Sequence, residues 1–157
     1  IMDNPQKSTY SIMQLLKFAI DTHTQYSMHL NKKIQFELNG FTACYTTQYL
    51  AILSMLNNVL SNAVEAIDEH GNITIHVKEV DDELHFIIEN NGPAIQPDNL
   101  NILFDAGFTT KFDLNGNAST GIGLYHVQSI IKSLGGTIHV TSDEITKFYL
   151  TVNKQFL

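Results

Sequence analysis

The sequence contains no arginine, a single cysteine and no long hydrophobic run. All nine positive charges are lysines, set against sixteen acidic residues, and the formal net charge is −7. Nucleic-acid-binding proteins depend on clustered cations and bidentate arginine contacts, so no nucleic-acid partner is expected. One cysteine, Cys44, excludes an internal disulfide and any multi-cysteine zinc site. No stretch approaches the ~18 apolar residues of a membrane-spanning helix. Any phosphate site must therefore use lysine, backbone N–H groups and a metal ion.

The chain is long enough for one ordinary domain. It has 157 residues, of which 43% are hydrophobic, so it can bury a core of its own. Residues 1–9 are polar and contain Pro5, and they are expected to be a lead-in from an upstream region that is missing here, because Ile1 is not a natural start. Residues 10–157 are expected to form the single domain.

Hydrophobic periodicity predicts an α/β domain. One helix is predicted from Tyr10 to about Leu30, capped by Ser8 or Thr9, and His23 on its apolar stripe is expected to be a packed histidine. Two more helices are predicted over residues 47–68 and 121–134, the last ended by Gly135-Gly136. Strands are predicted over residues 34–38, 73–80, 84–90, 137–142 and 147–153. The order of elements favours a two-layer α/β sandwich.

Two asparagines on the second predicted helix are the sharpest local feature. Asn58 and Asn62 are four residues apart, so they share one face, and Glu65 joins them one turn on. That face lies opposite a predicted core stripe of Leu53, Leu56, Leu60, Val64 and Ile67. Asparagine is a middling helix former, and amide oxygens are suitable ligands for Mg²⁺ with substrate phosphates. A solvated face in an Asn-rich protein is the equally weighted alternative for this pattern alone.

The second half of the chain contains three glycine-rich or flexible segments. Asn90-Asn91-Gly92 leaves a strand abruptly, and Gly92 allows either the close approach of a ligand or a positive φ. A loop over residues 103–111 combines two phenylalanines with Lys111. Residues 119–124 open a helix with Gly121 and Gly123, and a helix N-terminus offers free N–H groups to phosphate. Each signal is weak by itself, and an ordinary turn or surface loop explains any one of them.

Taken together, the order and spacing of these segments are specific. The sequence resembles the ATP-binding catalytic domain of sensor histidine kinases, in the superfamily that includes the DNA gyrase, heat-shock chaperone and mismatch-repair ATPases. The resemblance covers roughly residues 10–153, and its wording is closest to the branch of citrate- and fumarate-sensing kinases. The matching segments are residues 58–66 (N box), 90–95 (first glycine box), 103–111 (F box) and 119–124 (second glycine box), with Thr146 at the last glycine/threonine box.

The resemblance implies a fold and a set of site residues. The fold is a mixed, mainly antiparallel sheet with helices on one face. Asn62 would coordinate Mg²⁺, Asn58 would support the metal and the phosphates as a catalytic residue, Asn90 would receive the adenine amino group, and Gly92 would line the base pocket. Residues 105–120 would form the ATP lid, in which Lys111 contacts the phosphates as the second catalytic residue. The remaining nucleotide-binding positions implied are Thr120, Gly121, Gly123, Leu124 and Thr146.

Three positions depart from the family pattern. Asn90 replaces the usual aspartate, so a charge-assisted hydrogen bond to adenine is lost although an amide oxygen can still accept one. Ala94 stands where a second glycine is common, and Ile145 replaces the glycine before Thr146. We expect these changes to affect nucleotide affinity.

The function implied is transfer of the ATP γ-phosphoryl group to a histidine outside this chain, for relay to a response regulator. The implied partners are the dimerisation and phosphoacceptor domain of the same protein and the response regulator. The implied location is cytoplasmic, in a protein that can be membrane-anchored. Three alternatives stay open: an ATPase of the same superfamily, a Ser/Thr kinase of the anti-sigma type, and a degenerate nucleotide-binding module. Asn58 favours transfer over hydrolysis, since gyrase-like ATPases have a glutamate there and an amide is no general base.

Overall fold

The computed structural model describes residues 8–100, 102–105 and 122–157. Within these ranges three long helices cover one side of a five-stranded sheet, which confirms the predicted two-layer α/β sandwich. The helices are α1 (Ile12–His29), α2 (Tyr49–Ala66), the short α3 (Pro97–Leu100) and α4 (Ile122–Ser133), followed by a 3₁₀ turn at Lys154–Phe156.

The large sheet is mixed and mainly antiparallel, as expected. Its strands are β2 (Lys33–Gly40), β4 (His70–Val80), β5 (Glu83–Asn90), β6 (Ile138–Ser142) and β7 (Thr146–Asn153), in the spatial order β2-β4-β5-β7-β6. Only β2 and β4 run parallel, because α2 connects them as a crossover. The other neighbours are antiparallel, and the β4–β5 hairpin turns at Asp81, whose φ is 54°.

The hydrophobic core lies between the helices and one face of the sheet. Every second residue of β5 and β7 is buried, as the two-residue repeat of a strand requires when one face is covered. Phe86 and Phe148 are the largest of the fully buried side chains, and they are contributed by neighbouring strands. Where β5 ends and β7 begins, the same buried face carries two polar residues, Asn90 and Thr146, which are register partners in the two strands.

The start of the domain differs from the sequence prediction. Tyr10 and Ser11 form a short strand, β1, that pairs with β3 (Tyr45–Thr46), so α1 begins at Ile12. The cap predicted at Ser8 or Thr9 was wrong: Ser11 is the N-cap, and its hydroxyl accepts from the backbone N–H of Gln14 at 3.4 Å. A two-residue ladder has no periodicity, so the hydrophobic pattern extended the helix over it.

Helix α4 ends where the sequence predicted. Gly135 has a φ of +66°, which is the left-handed conformation that favours glycine at a helix end. The N–H of Gly136 donates to the carbonyl of Ile131 at 2.9 Å and closes the last turn. The chain then reverses into β6, which returns alongside β7.

Candidate functional site

Helix α2 presents the two predicted asparagines beside its buried stripe. Four of the five predicted core residues are buried, namely Leu56, Leu60, Val64 and Ile67, which confirms most of that stripe. The stripe is wider than predicted, because Ile52, Met55, Val59 and Ala63 are buried as well. Leu53 is only half-buried and packs at the margin of the core, which corrects its place in that stripe. Asn58 and Asn62 are both half-buried.

The amide of Asn58 is oriented by its own helix. Its Nδ2 donates to the carbonyl oxygen of Ser54 at 2.7 Å and lies 3.4 Å from the Ser54 hydroxyl. Only the NH₂ group can donate to a carbonyl, so this contact fixes which atom of the amide is the oxygen. The Oδ1 atom is therefore turned away from Ser54 and remains an acceptor. Asn62, one turn later, has no hydrogen-bond partner within the described ranges.

Oδ1 of Asn58 lies against the first turn of α4. A Cβ built on Gly123 would be only 2.8 Å from this oxygen, closer than real Cβ contacts come. The structure thus brings together Asn58 and Gly123, which the sequence analysis placed in one site although 65 positions separate them in the sequence. The predicted site residue Leu124 is 9% exposed and anchors the helix start in the core.

Three predicted site residues lie outside the residues that the structure describes. Lys111, Thr120 and Gly121 fall within residues 106–121, which lie beyond the described ranges, as does most of the predicted lid over residues 105–120. Their roles stay predictions.

A polar cluster lies where β5 ends and β7 begins. Asn90 is 2% exposed, and its Oδ1 accepts from the backbone N–H of Gly92 at 3.0 Å. A Cβ on Gly92 would be 2.7 Å from the carbonyl oxygen of Ala66, the last residue of α2. The close approach seen here is to the chain's own backbone, and the close approach of a ligand stays a prediction. Among the described glycines, positive φ values occur at Gly40 and Gly135 and not at Gly92.

Sequence reasoning missed Ser142 in this cluster. Its hydroxyl accepts from the N–H of Ile95 at 2.8 Å and lies 2.6 Å from the hydroxyl of Thr146. Ser142 and Thr146 are register partners in the β6–β7 hairpin, so correct pairing of that predicted hairpin would have found them. The bond ties the segment after Gly92 to the sheet. Ile145, one of the departures from the family pattern, is 40% exposed and points away from the core.

Helix α1 braces the asparagine face through two polar contacts. His23 is 3% exposed, which confirms that it is a packed histidine. Its Nδ1 lies 2.7 Å from the Ala19 carbonyl and therefore donates to it, and its Nε2 lies 3.0 Å from the Ser61 hydroxyl. One turn later, the Tyr26 hydroxyl donates to Glu65 at 3.1 Å. Burial, followed by the nearby Glu65 carboxylate, raises the pKa of Tyr26 above its usual 10.0. Glu65 thus has a partner on α1.

Within the described residues, no group of three or more His, Cys, Asp or Glu side chains is arranged to hold a metal ion. A metal at this site would have to be bound by amide oxygens of the protein and by phosphate oxygens of a bound nucleotide. Oxygen donors of this kind are the ones that Mg²⁺ favours. The oxygens of Asn58 and Asn62 fit that requirement.

Comparison with known proteins decides the family. Residues 47–155 match the model of the histidine kinase-, DNA gyrase B- and HSP90-like ATPases. The chain belongs to this family. It is an ATP-binding domain of the sensor histidine kinase type, as the sequence analysis predicted and as its relatives show. The finer assignment to the citrate- and fumarate-sensing branch stays a prediction.

Individual relatives agree with this assignment. The chain is 37% identical to the sensor histidine kinase GlnK of Bacillus subtilis over 125 residues, which cover 79% of this chain and 30% of GlnK. It is 39% identical to the sensor histidine kinase ZraS of Salmonella typhi in an alignment of 153 positions that covers 85% of this chain and 32% of ZraS. The chain thus spans about a third of the length of these two relatives.

The fold is also that of a solved kinase domain. The nucleotide-free catalytic domain of the histidine kinase ThkA superimposes with a TM-score of 0.78 at 23% identity, over 94% of this chain and 97% of that one. At this identity the likeness concerns the fold. In the described part of this chain, no helix is long and apolar enough to span a bilayer.

Proposed function

We propose that this domain binds ATP with Mg²⁺ against the Asn58 and Asn62 face of α2 and transfers the γ-phosphoryl group to a histidine outside this chain. The observation that carries the proposal is the orientation of Asn58. Its NH₂ group is tied back to Ser54, so its oxygen is left on the side of α4 and Gly123. An amide oxygen in that position serves a metal–phosphate unit and cannot serve as a proton acceptor.

Transfer of the γ-phosphoryl group requires mainly charge neutralisation and alignment of the reacting atoms. In the transfer, the bond between the γ-phosphorus and the bridging oxygen breaks, a P–N bond forms to the acceptor imidazole, and ADP leaves. Phosphoryl transfer asks little covalent chemistry of the protein. Bound Mg²⁺ would supply charge neutralisation on the phosphates, and the residues present to hold it are Asn58 and Asn62. The N-terminus of α4 and Lys111 would supply the remaining positive potential.

Asn58 also supports transfer over hydrolysis. A hydrolytic ATPase needs a group that accepts a proton from water, and the neutral amide of Asn58 does not accept one.

The acceptor histidine is proposed to lie in another domain of the same protein. His23 is buried between α1 and α2, with both ring nitrogens within hydrogen-bond distance of a partner. Phosphoacceptor histidines of the sensor kinases are usually followed by an acidic residue, whereas His29 and His126, which are exposed on helices, are each followed by an apolar one. We propose that the partners are the dimerisation and phosphoacceptor domain and, through it, a response regulator. No nucleic-acid partner is proposed, given the net charge of −7.

The proposal is tested by titrating the chain with ATP, with and without Mg²⁺. We expect ATP to bind more tightly with Mg²⁺, and Asn62→Ala to weaken ATP about tenfold while leaving adenosine little changed. The matched control is Asn57→Leu, on the same helix but off the asparagine face, which is expected to leave ATP affinity unchanged. Equal loss of ATP and adenosine in Asn62→Ala would contradict the metal assignment, and the absence of any ATP binding would contradict the function.

A further inference from the structure

Asn90 is a buried amide at the edge of the proposed nucleotide site. It is the last residue of β5 and pairs with Ile73 on one side and Thr146 on the other. All three residues are at most 2% exposed and lie on the sheet face that the helices cover. The side chain therefore faces the helix layer, where the proposed function places the nucleotide base.

The hydrogen bond to Gly92 determines which atom of the amide is left over. The N–H of Gly92 donates at 3.0 Å, so the atom that it meets must be the oxygen of Asn90. Gly92 packs too closely against the carbonyl of Ala66 for a side chain to fit, so the backbone at this donor is held in place. Nδ2 of Asn90 has no hydrogen-bond partner among the described residues. The group of this side chain that is still without a partner is thus an NH₂ donor, whereas the oxygen already has one hydrogen bond.

A donor in this position has a direct consequence for base recognition. The 6-amino group of adenine is itself a donor, so it would face a second donor. The 6-oxo group of hypoxanthine or guanine is an acceptor and would complete the hydrogen bond. An aspartate, the residue that the family usually has here, offers two acceptor oxygens, one for Gly92 and one for the adenine amino group. The change to asparagine removes the second acceptor and puts a donor in its place.

We infer that Asn90 makes this site accept 6-oxopurine nucleotides at least as well as adenine nucleotides. The inference rests on the proposed function, because that function places the base beside Asn90. It concerns the base alone, so Asn58, Asn62 and the phosphates have the same roles for either nucleotide.

The test compares two ligands that differ at the purine 6-position. ATP and inosine triphosphate are titrated into the 157-residue chain with Mg²⁺ by calorimetry. We expect inosine triphosphate to bind as tightly as ATP or more tightly. ATP binding more than about threefold tighter than inosine triphosphate overturns the inference and leaves the proposed function standing. If neither nucleotide binds, the proposed function fails and the inference fails with it.

The variant that restores two acceptors is Asn90→Asp. We expect the ratio of the two affinities to move toward ATP by about tenfold, the usual scale for an unmatched buried hydrogen-bonding group. The matched control is Asn153→Asp, because Asn153 also ends a strand and its Oδ1 also accepts a backbone N–H two residues on, at 3.0 Å. A ratio that does not change in Asn90→Asp overturns the inference. Should Asn90→Asp fail to fold, the ratio in the original chain decides.

Discussion

A Cβ atom on Gly123 would come within 2.8 Å of Oδ1 of Asn58. The contact joins the first turn of α4 to the middle of α2, and the atom involved is the oxygen that the Ser54 hydrogen bond leaves available. Glycine at position 123 therefore does more than relax the backbone. It allows the two helices to approach while the amide oxygen stays open to a ligand.

The first prediction concerns this contact. In Gly123→Ala the new methyl group displaces the Asn58 amide, so we expect ATP affinity to fall about tenfold. Alanine favours a helix over glycine by about 0.5–1 kcal/mol, so the free energy of unfolding is expected to stay level or to rise. Calorimetric titration and thermal unfolding measure the two quantities separately. A parallel loss of affinity and stability would mean that the substitution damages the fold rather than the site.

The second prediction concerns Asn57, the neighbour of Asn58 that faces a different direction. Its Oδ1 is buried and has no hydrogen-bond partner in the part of the chain that the structure describes. An unpaired buried acceptor is costly, so Asn57→Leu, of similar size, is expected to raise the free energy of unfolding by about 1 kcal/mol. Chemical denaturation measures this change. No gain in stability would indicate that a solvent molecule or another group satisfies the oxygen.

The third prediction concerns the pH dependence of the α1–α2 contact. The pKa of Tyr26 is raised above 10.0 in the folded domain by burial and by Glu65, so the folded state keeps its proton at a pH where the unfolded state has lost it. The contribution of Tyr26 to the unfolding free energy is therefore fully present below pH 10 and is lost as the pH rises through the raised pKa. Tyr26→Phe should show a smaller fall in unfolding free energy above pH 10. Tyr45→Phe, altered at a tyrosine that is 64% exposed, should behave like the original chain.

The fourth prediction concerns turnover. Because Asn58 is no general base and His23 is buried, the isolated chain is expected to hydrolyse ATP very slowly and not to phosphorylate itself. Incubation with γ-labelled ATP followed by mapping of the labelled residues measures both. Stoichiometric label on any histidine of the chain would contradict the proposed transfer to a histidine outside this chain. Asn58→Glu supplies a carboxylate at the same position, and it should raise hydrolysis if the surrounding geometry already suits an attacking water.

Much of the fold and of the candidate site could be predicted, because hydrophobic periodicity and residue spacing indicate which residues share a face of a helix or strand. The helical spacing of Asn58 and Asn62 placed them on one face, and the alternation in β5 placed Asn90 at a strand end. The resemblance to the kinase family then placed α2 and the start of α4 in one site, although nothing local in the sequence records that contact. The hairpins and the Gly135-Gly136 helix end were found because their turn residues have strong conformational preferences.

What could not be predicted depends on contacts between distant segments. The two-residue ladder of β1 and β3 has no pattern of its own, so the start of α1 was misplaced. The partners of Ser61 and Glu65 lie 38 and 39 positions away on α1, where His23 and Tyr26 show no motif. The hydrogen bond from the Gly92 N–H to Oδ1 of Asn90 could not be predicted either, because it depends on how the amide is oriented in the fold. Residue type alone left its oxygen available to adenine, whereas the folded chain uses it.

The last prediction concerns Lys111, which lies outside the described residues. The chain has no arginine, so its phosphate contacts depend on nine lysines, a metal and backbone N–H groups. If Lys111 contacts the terminal phosphates, its loss should matter more for ATP than for ADP, because ATP carries the additional charge. We expect Lys111→Ala to weaken ATP several-fold more than ADP, and the difference to shrink as salt is added. Lys132→Ala removes an equal charge from an exposed position of α4 and is the matched control. If Lys111→Ala and Lys132→Ala lower the affinities for ATP and for ADP by the same factor, only the net charge matters. Lys111 would then be an ordinary surface lysine.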